Sequence, residues 1–256
     1  MSPLAVLFDL DGVISDTASV HKRAWKVVFD KFLRTQKGCH VPFVAPDDYL
    51  RYLDGKARLT GIEDFLRSRS IDLPYGEVDA LKIDCVHGIA NAKNVIFREL
   101  LDISGLVIFG DALRQIEALM ASAADIGLAS SSKNARLVLD KAGLTGCFKS
   151  IMDGIVAEEK GIASKPHPAF YHYAADMLGR STKQCIVFED AISGVVSAKQ
   201  AGVGLVVGIS RNGDSRVLRT GGADIVVSSL DELDFGRAGG SLSCPELFLR
   251  NMEGLT

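Results

Sequence analysis

Residues 4–13 read LAVLFDLDGV, and that stretch decides how the rest of the chain is understood. Leu4–Phe8 is a run of branched and aromatic apolar residues, the composition of a strand covered on both faces. It leads straight into Asp9, Leu10, Asp11 and Gly12. Side chains two positions apart on a strand share a face, so the two carboxylates are aimed at one place. Such a pair repels unless something positive lies between: a metal ion, a bound proton or a cationic side chain from elsewhere.

Similar apolar runs recur at Ile126–Ser130, Ser150–Met152, Cys185–Glu189, Val203–Val207 and Asp224–Val227. Helical periodicity follows most of them. Val138, Leu139 and Ala142 share a face before Gly143; Phe170, Ala174 and Met177 do so before Gly179; Ile192, Val195 and Lys199 precede Gly202. Alternating strands and helices predict an α/β fold, a Rossmann-like parallel sheet with helices on both faces. Residues 17–98 interrupt the series with a mainly helical insert. Its first helix is expected over Thr17–Leu33, with Val20, Ala24, Val27, Val28 and Phe32 on one side and Asp16 as N-cap. The expected organisation is a discontinuous core of 1–16 and 99–256 and a helical cap of 17–98. Ligand sites of open α/β sheets lie beyond the strands' carboxyl ends, so an insert there is placed to act as a lid.

The 256 residues carry a net charge of −3, which gives no reason to expect nucleic acid or an anionic membrane as partner. Five cysteines, never spaced as CxxC, suit reduced thiols of a cytoplasmic protein. No apolar run reaches the roughly 18–20 residues of a membrane span. GVGLVVG at 202–208 lacks the GxGxxG spacing and follows a helix, so it is the turn into a strand and not a nucleotide loop.

Four strand ends carry polar residues that a parallel sheet would bring to one edge. The first has Asp9 and Asp11; the second, in LASSSKN, has Ser130 followed by Ser132, Lys133 and Asn134. Lys165 lies in ASKPHP after the third, and Glu189 and Asp190 end the fourth in IVFEDAISG. A lone DxD is usually a turn or a cap, and Ser130 or Lys165 alone would be unremarkable. Together they offer hard oxygen ligands for Mg²⁺, a hydroxyl and an ammonium for phosphate oxygens, and a carboxylate left over as nucleophile.

DLDGV, the serine of LASSSKN, the lysine of SKP and the ED pair appear in the order and spacing of the haloacid dehalogenase superfamily, which the chain resembles over about residues 4–235. Within it, DLDGVISDTASVHKRAW, SSSKN and NAKN are most similar to the β-phosphoglucomutase-like group. That resemblance implies that Asp9 attacks phosphorus and Asp11 is the general acid and base. It implies that Asp9, the backbone carbonyl of Asp11 and Asp190 hold Mg²⁺, with Glu189 beside it. It also assigns His21, Trp25, Arg58 and Lys93 in the cap to the substrate, with Arg58 clamping its distal phosphate alongside Ser132, Lys133 and Asn134. Asp16 and Thr17, at the hinge, are expected to orient Asp11.

The implied activity is a monomeric mutase for β-glucose 1-phosphate and glucose 6-phosphate, primed by a sugar bisphosphate. Two rivals remain: a small sugar-phosphate phosphatase, and a binder that kept the fold without the chemistry. Lys56 and Arg58, in LDGKARLTG, could equally be a solvated basic turn. KPHPAF departs from the family's KPxPD by placing Ala169 where an aspartate commonly stands, which bears on a helix start and leaves Lys165 intact. The tail after Phe235 lies outside the resemblance, with a short helix possible at Pro245–Met252.

Overall fold

In the computed structural model, which describes residues 5–36, 41–211 and 215–233, all strand pairings in the sheet are parallel. The strands are β1 (Ala5–Phe8), β2 (Asp125–Ala129), β3 (Ser150–Met152), β4 (Cys185–Glu189), β5 (Leu205–Ile209) and β6 (Ile225–Val227), in the order β3-β2-β1-β4-β5-β6. The helices are α1 (Thr17–Leu33), α2 (Ala45–Asp48), α3 (Arg58–Ser68), α4 (Val86–Ser104), α5 (Gly110–Ala121), α6 (Ala135–Ala142), α7 (Gly154–Glu159), α8 (Ala169–Met177), α9 (Ile192–Gln200) and α10 (Ser215–Gly221). The expected α/β class is therefore observed. Strand five starts two residues later than its apolar run suggests, because Val203 and Gly204 spend their N–H groups on Ala198 and Thr182 carbonyls in the turn.

The chain divides into two units. One comprises the described residues of Met1–Ser15 and Ile108–Thr256, the other those of Asp16–Val107. The expected boundary at 98/99 is corrected: it falls inside α4, whose hydrogen bonding runs on to Ser104 and ends at Gly105, where φ is +73°. The tail after Phe235, with the helix expected at Pro245–Met252, lies outside the described residues, as do Cys39 and Cys244.

In the sheet unit, Leu7, Ala129, Met152 and Val187 pack against Phe170, Tyr171 and Ala174 of α8 and Val195 and Ala198 of α9. Such strands are apolar throughout because helices cover both faces. β1 is flanked by β2 on one side and β4 on the other, so the strand order reverses there and a crevice opens at its carboxyl end. Phe8 is level with Leu128 and Phe188. The residues that follow each of these therefore emerge together.

In the helical unit, α1 buries Val20, Ala24, Trp25, Val28, Phe29, Phe32 and Leu33. Val27, expected on the buried face, is 51% exposed. The apolar stripe drifts through the pairs 24/25, 28/29 and 32/33, which turns position 27 outward. Phe29 packs on Phe65 of α3 with ring centroids 4.1 Å apart. Asp16 is the residue before α1, yet its side chain makes no capping bond, because φ −79° and ψ 38° are not the extended conformation that a cap needs. Among the described residues no helix is long and apolar enough to cross a membrane.

Candidate active site

At the carboxyl edge of the sheet, Asp9 leaves β1 with its N–H on the Phe188 carbonyl at 3.0 Å. Lys165, on the segment between α7 and α8, is 1% exposed and ends among acceptors. Its ammonium donates to Asp9 Oδ1 at 2.7 Å, to the Ala129 carbonyl at 2.7 Å and to Glu189 Oε1 at 2.5 Å. Glu189 Oε1 also accepts the Tyr171 hydroxyl at 2.6 Å. Glu189 Oε2 accepts the Ala191 N–H at 3.4 Å, and a buried ammonium with three acceptors beside a buried carboxylate with three donors is a satisfied network, the condition under which burying charge is tolerable.

The charges nevertheless do not balance. Asp9, Glu189 and Asp190 each present a carboxylate oxygen, all within 4.8 Å of one another. Burial pushes the Asp9 carboxyl well above the usual range, and the Glu189 and Asp11 charges add to that against the pull of Lys165. Burial alone would lower Lys165, but the Asp9 and Glu189 charges outweigh it and hold the ammonium above its ordinary range. The cluster is short of positive charge, and its oxygens are the hard donors that suit a small divalent cation.

Two glycines make the cluster possible. A Cβ on Gly12, whose φ is +87°, would stand 1.8 Å from Asp190 Oδ2. One on Gly194 would stand 1.9 Å from Glu189 Oε1. Each carboxylate occupies the space that a side chain would fill.

Ser130, 1% exposed, follows β2, and its Oγ accepts the Ser132 N–H at 3.2 Å. Ser132 Oγ in turn accepts the Asn134 N–H at 3.2 Å, so this serine closes the turn ahead of α6, which begins only at Ala135. Lys133 is directed onto Glu158 of α7, with its ammonium 2.7 and 2.8 Å from the two carboxylate oxygens.

The cap residues form a cluster of their own. His21 of α1 stacks on Phe97 of α4, with centroids 4.1 Å apart, and its Nδ1 is hydrogen-bonded to Lys93 Nζ. Lys93, 2% exposed, has its ammonium 4.9 Å from the Trp25 ring centre and 5.0 Å from that of Phe97. Burial and then the Lys93 and Arg58 charges hold the His21 imidazole well below its usual range, so the ring is neutral. With the ammonium donating to Nδ1, the ring proton is on Nε2.

Arg58 is not in a loop, as the bounding glycines suggested; it is the first residue of α3. Its Nη2 donates to Asn94 Oδ1 at 2.9 Å and its Nη1 to the Ala90 carbonyl at 3.5 Å. Lys56 pairs with Asp64 at 2.7 Å. Thr17 is buried and Asp16 exposed, its carbonyl accepting the Ser19 hydroxyl at 2.9 Å.

Sequence reasoning missed Tyr171 and Asn94. Tyr171 had a faint signal, a hydroxyl on the apolar face of the helix that follows the motif lysine; Asn94 had none beyond its neighbour Lys93.

The family model of haloacid dehalogenase-like hydrolases matches residues 3–202. A β-phosphoglucomutase of Mycobacterium bovis is 41% identical over 237 residues, covering 90% of each chain. The validoxylamine A 7'-phosphate phosphatase of Streptomyces hygroscopicus subsp. limoneus is 26% identical over 92% of this chain and 98% of its own. The crystal structure of a β-phosphoglucomutase from Clostridium difficile superposes with a TM-score of 0.73 over 99% of both chains at 24% identity, a likeness of fold. With that model spanning most of its length, the chain belongs to the haloacid dehalogenase-like hydrolases and is an enzyme, a phosphotransferase or phosphatase.

Proposed function

We propose that the protein is a Mg²⁺-dependent mutase interconverting β-glucose 1-phosphate and glucose 6-phosphate through an aspartyl phosphate on Asp9. The observation that carries this reading is the 41% identity to a β-phosphoglucomutase over nine tenths of both chains. A cap that buries Lys93 and His21 together and carries Arg58 beside them supports it.

Asp9 and Asp190, with the backbone carbonyl of Asp11, would hold the ion, while Glu189 is occupied with Lys165 and Tyr171. Bound there, Mg²⁺ supplies charge neutralisation for the carboxylates and the phosphate oxygens. The Asp9 carboxylate attacks phosphorus of a sugar bisphosphate. The bond from phosphorus to the sugar oxygen breaks, and Asp11 gives that oxygen its proton. In the return direction the Asp11 carboxylate takes the proton of the acceptor hydroxyl, and the sugar oxygen attacks the phosphoryl group on Asp9. Lys165 and the Ser130 hydroxyl stabilise the charge carried by the transferring oxygens. In the cap, Arg58 and Lys93 supply positive charge for a second phosphate, and neutral His21 offers an N–H donor to the sugar. A bisphosphate primer and a monophosphate substrate are the partners this chemistry needs, and a single chain suffices.

The second reading is a sugar-phosphate phosphatase in which water attacks the aspartyl phosphate. The similarity to the validoxylamine 7'-phosphate phosphatase favours it, since Asp9, Asp11, Lys165 and Asp190 serve both reactions. One assay separates them. The protein is incubated with β-glucose 1-phosphate, Mg²⁺ and a trace of glucose 1,6-bisphosphate, and glucose 6-phosphate and inorganic phosphate are measured together. Glucose 6-phosphate as the main product is expected. Inorganic phosphate in its place would sink the mutase.

A further inference from the structure

The turn that follows the two carboxylates is held by a residue some two hundred positions away in the sequence, on the far side of the sheet order. Arg211, just beyond β5 (Leu205–Ile209), donates from Nε to the Gly12 carbonyl at 2.9 Å and from Nη2 to the Val13 carbonyl at 2.8 Å. Its Nη1 and Nη2 donate to Asp111 Oδ2 and Oδ1 at 3.0 and 3.2 Å. The guanidinium lies over the Phe109 ring, 3.7 Å from its centre. Asp111 is itself anchored, accepting the Ser229 hydroxyl at 2.9 Å and the Leu230 N–H at 2.8 Å.

The two segments joined here are already laddered. Ser15 bridges Ile108, and the Phe109 N–H donates to the Ile14 carbonyl at 2.9 Å. The Gly12 N–H donates to the Ser15 carbonyl at 2.7 Å, closing the turn that begins at Asp11. Gly12 is also the residue that lies against Asp190 without room for a Cβ. One guanidinium therefore holds the carbonyls of the two residues that directly follow Asp11. The planar fork reaches four acceptor atoms in fixed directions, two carbonyls and both oxygens of one carboxylate, where an ammonium has three N–H groups.

We propose that Arg211 is a positioning residue for the phosphoryl-transfer centre: by clamping the Gly12 and Val13 carbonyls it holds the Asp11 turn against Asp190, so that the oxygens meant for the metal ion are assembled before the ion binds. This rests on the metal-assisted aspartyl-phosphate reading above. Asp111 and Phe109 steady the guanidinium and carry no part of that role.

The test uses the full-length protein with Mg²⁺ and fluoroberyllate, a phosphoryl mimic that an ionised aspartate and a metal ion capture without any sugar. Fluorine NMR reports complex formation as Mg²⁺ is titrated, and a thermal melt reports folding. The half-saturating Mg²⁺ concentration is expected to rise by about tenfold or more in Arg211→Ala, and by less in Arg211→Lys, the scale seen when groups behind metal ligands are removed. Asp111→Asn leaves both carbonyl bonds of Arg211 available, so it should melt lower yet bind Mg²⁺ within about twofold of wild type. If Arg211→Ala does not fold, Arg211→Lys carries the comparison. Arginine variants that titrate like wild type overturn the proposal, and so does an Asp111→Asn that weakens Mg²⁺ as much as they do, since that outcome means bracing alone. A wild type that captures no fluoroberyllate overturns the aspartyl-phosphate reading itself and this proposal with it, whereas failure of the sugar assay alone leaves the proposal standing.

Discussion

Replacing Lys165 by methionine removes the buried ammonium that Asp9 and Glu189 share. Side-chain exposures of 0% for Lys165, 9% for Asp9 and 1% for Glu189 mean that water cannot substitute for the ammonium. Breaking a buried pair by deleting one partner costs about 3–5 kcal/mol, because the charge left behind is uncompensated. For a domain of this size, that corresponds to a fall in melting temperature of roughly 6–20 °C.

The pH dependence has a definite sign. Asp9 already has its pKa raised by burial and by the Glu189 and Asp11 charges, and Lys165 is the group that opposes the rise. Without it the Asp9 pKa climbs further. A carboxyl whose folded pKa lies above the unfolded value of about 3.9 leaves stability intact below that value and removes it as pH rises through the folded pKa. The gap between Lys165→Met and wild type should therefore narrow between pH 7 and pH 5. Adding Glu189→Gln, which deletes a negative charge and keeps an acceptor for Tyr171, should recover part of the loss. The assay is calorimetric melting in EDTA, so that no divalent ion takes the place of the ammonium. A variant melting within about 2 °C of wild type at pH 7, a difference worth less than about 1 kcal/mol, would refute the claim that Lys165 neutralises these carboxylates.

Three other outcomes are expected. Gly12→Ala places a methyl group 1.8 Å from Asp190 Oδ2 at φ +87°, and the displaced carboxylate should lower the Mg²⁺-dependent rate by about a hundredfold; a rate within a few-fold of wild type contradicts the cradle. In Lys93→Met the nearby charge that helps depress His21 is gone, so the imidazole pKa measured by NMR should move up towards about 6.5. Because the folded wild type resists a proton that the unfolded chain accepts, its stability should also decline as pH falls below about 6.5, and an unaltered His21 titration in the variant counts against the pairing. Tyr171→Phe withdraws a hydrogen bond from a buried carboxylate, worth about 1.5–3 kcal/mol; it should lower melting temperature and kcat while leaving KM in place, and a wild-type melt would show that Glu189 does not depend on the hydroxyl.

Much of the molecule was determined by the sequence alone. Apolar strands of three to five residues alternating with helical periodicity admit few arrangements other than a parallel sheet, and α1 begins and ends at the residues its pattern suggests. Asp9, Ser130 and Glu189 were legible because each stands at or directly after a strand end, and parallel strands deliver their carboxyl ends to one edge; Lys165, between α7 and α8, was legible only through its SKP motif. The direction in which a side chain points after that was not legible. The pairing of Lys133 with Glu158 of α7 has no mark in SSSKN. Arg58 reads as a loop residue until Asn94 and Ala90 of α4 hold it at the start of α3. Lys93 is assigned to the substrate by the resemblance of NAKN, but nothing in that tetrapeptide tells that its ammonium is buried between two aromatic rings and an imidazole. Tyr171 carries only a faint local mark and Arg211 none, since their partners Glu189 and Gly12–Val13 are brought to them only by strand order. Local periodicity is written along the chain, but the pairing of a charge is decided by whichever groups the completed fold leaves within hydrogen-bond reach, and those come from elements far apart in sequence.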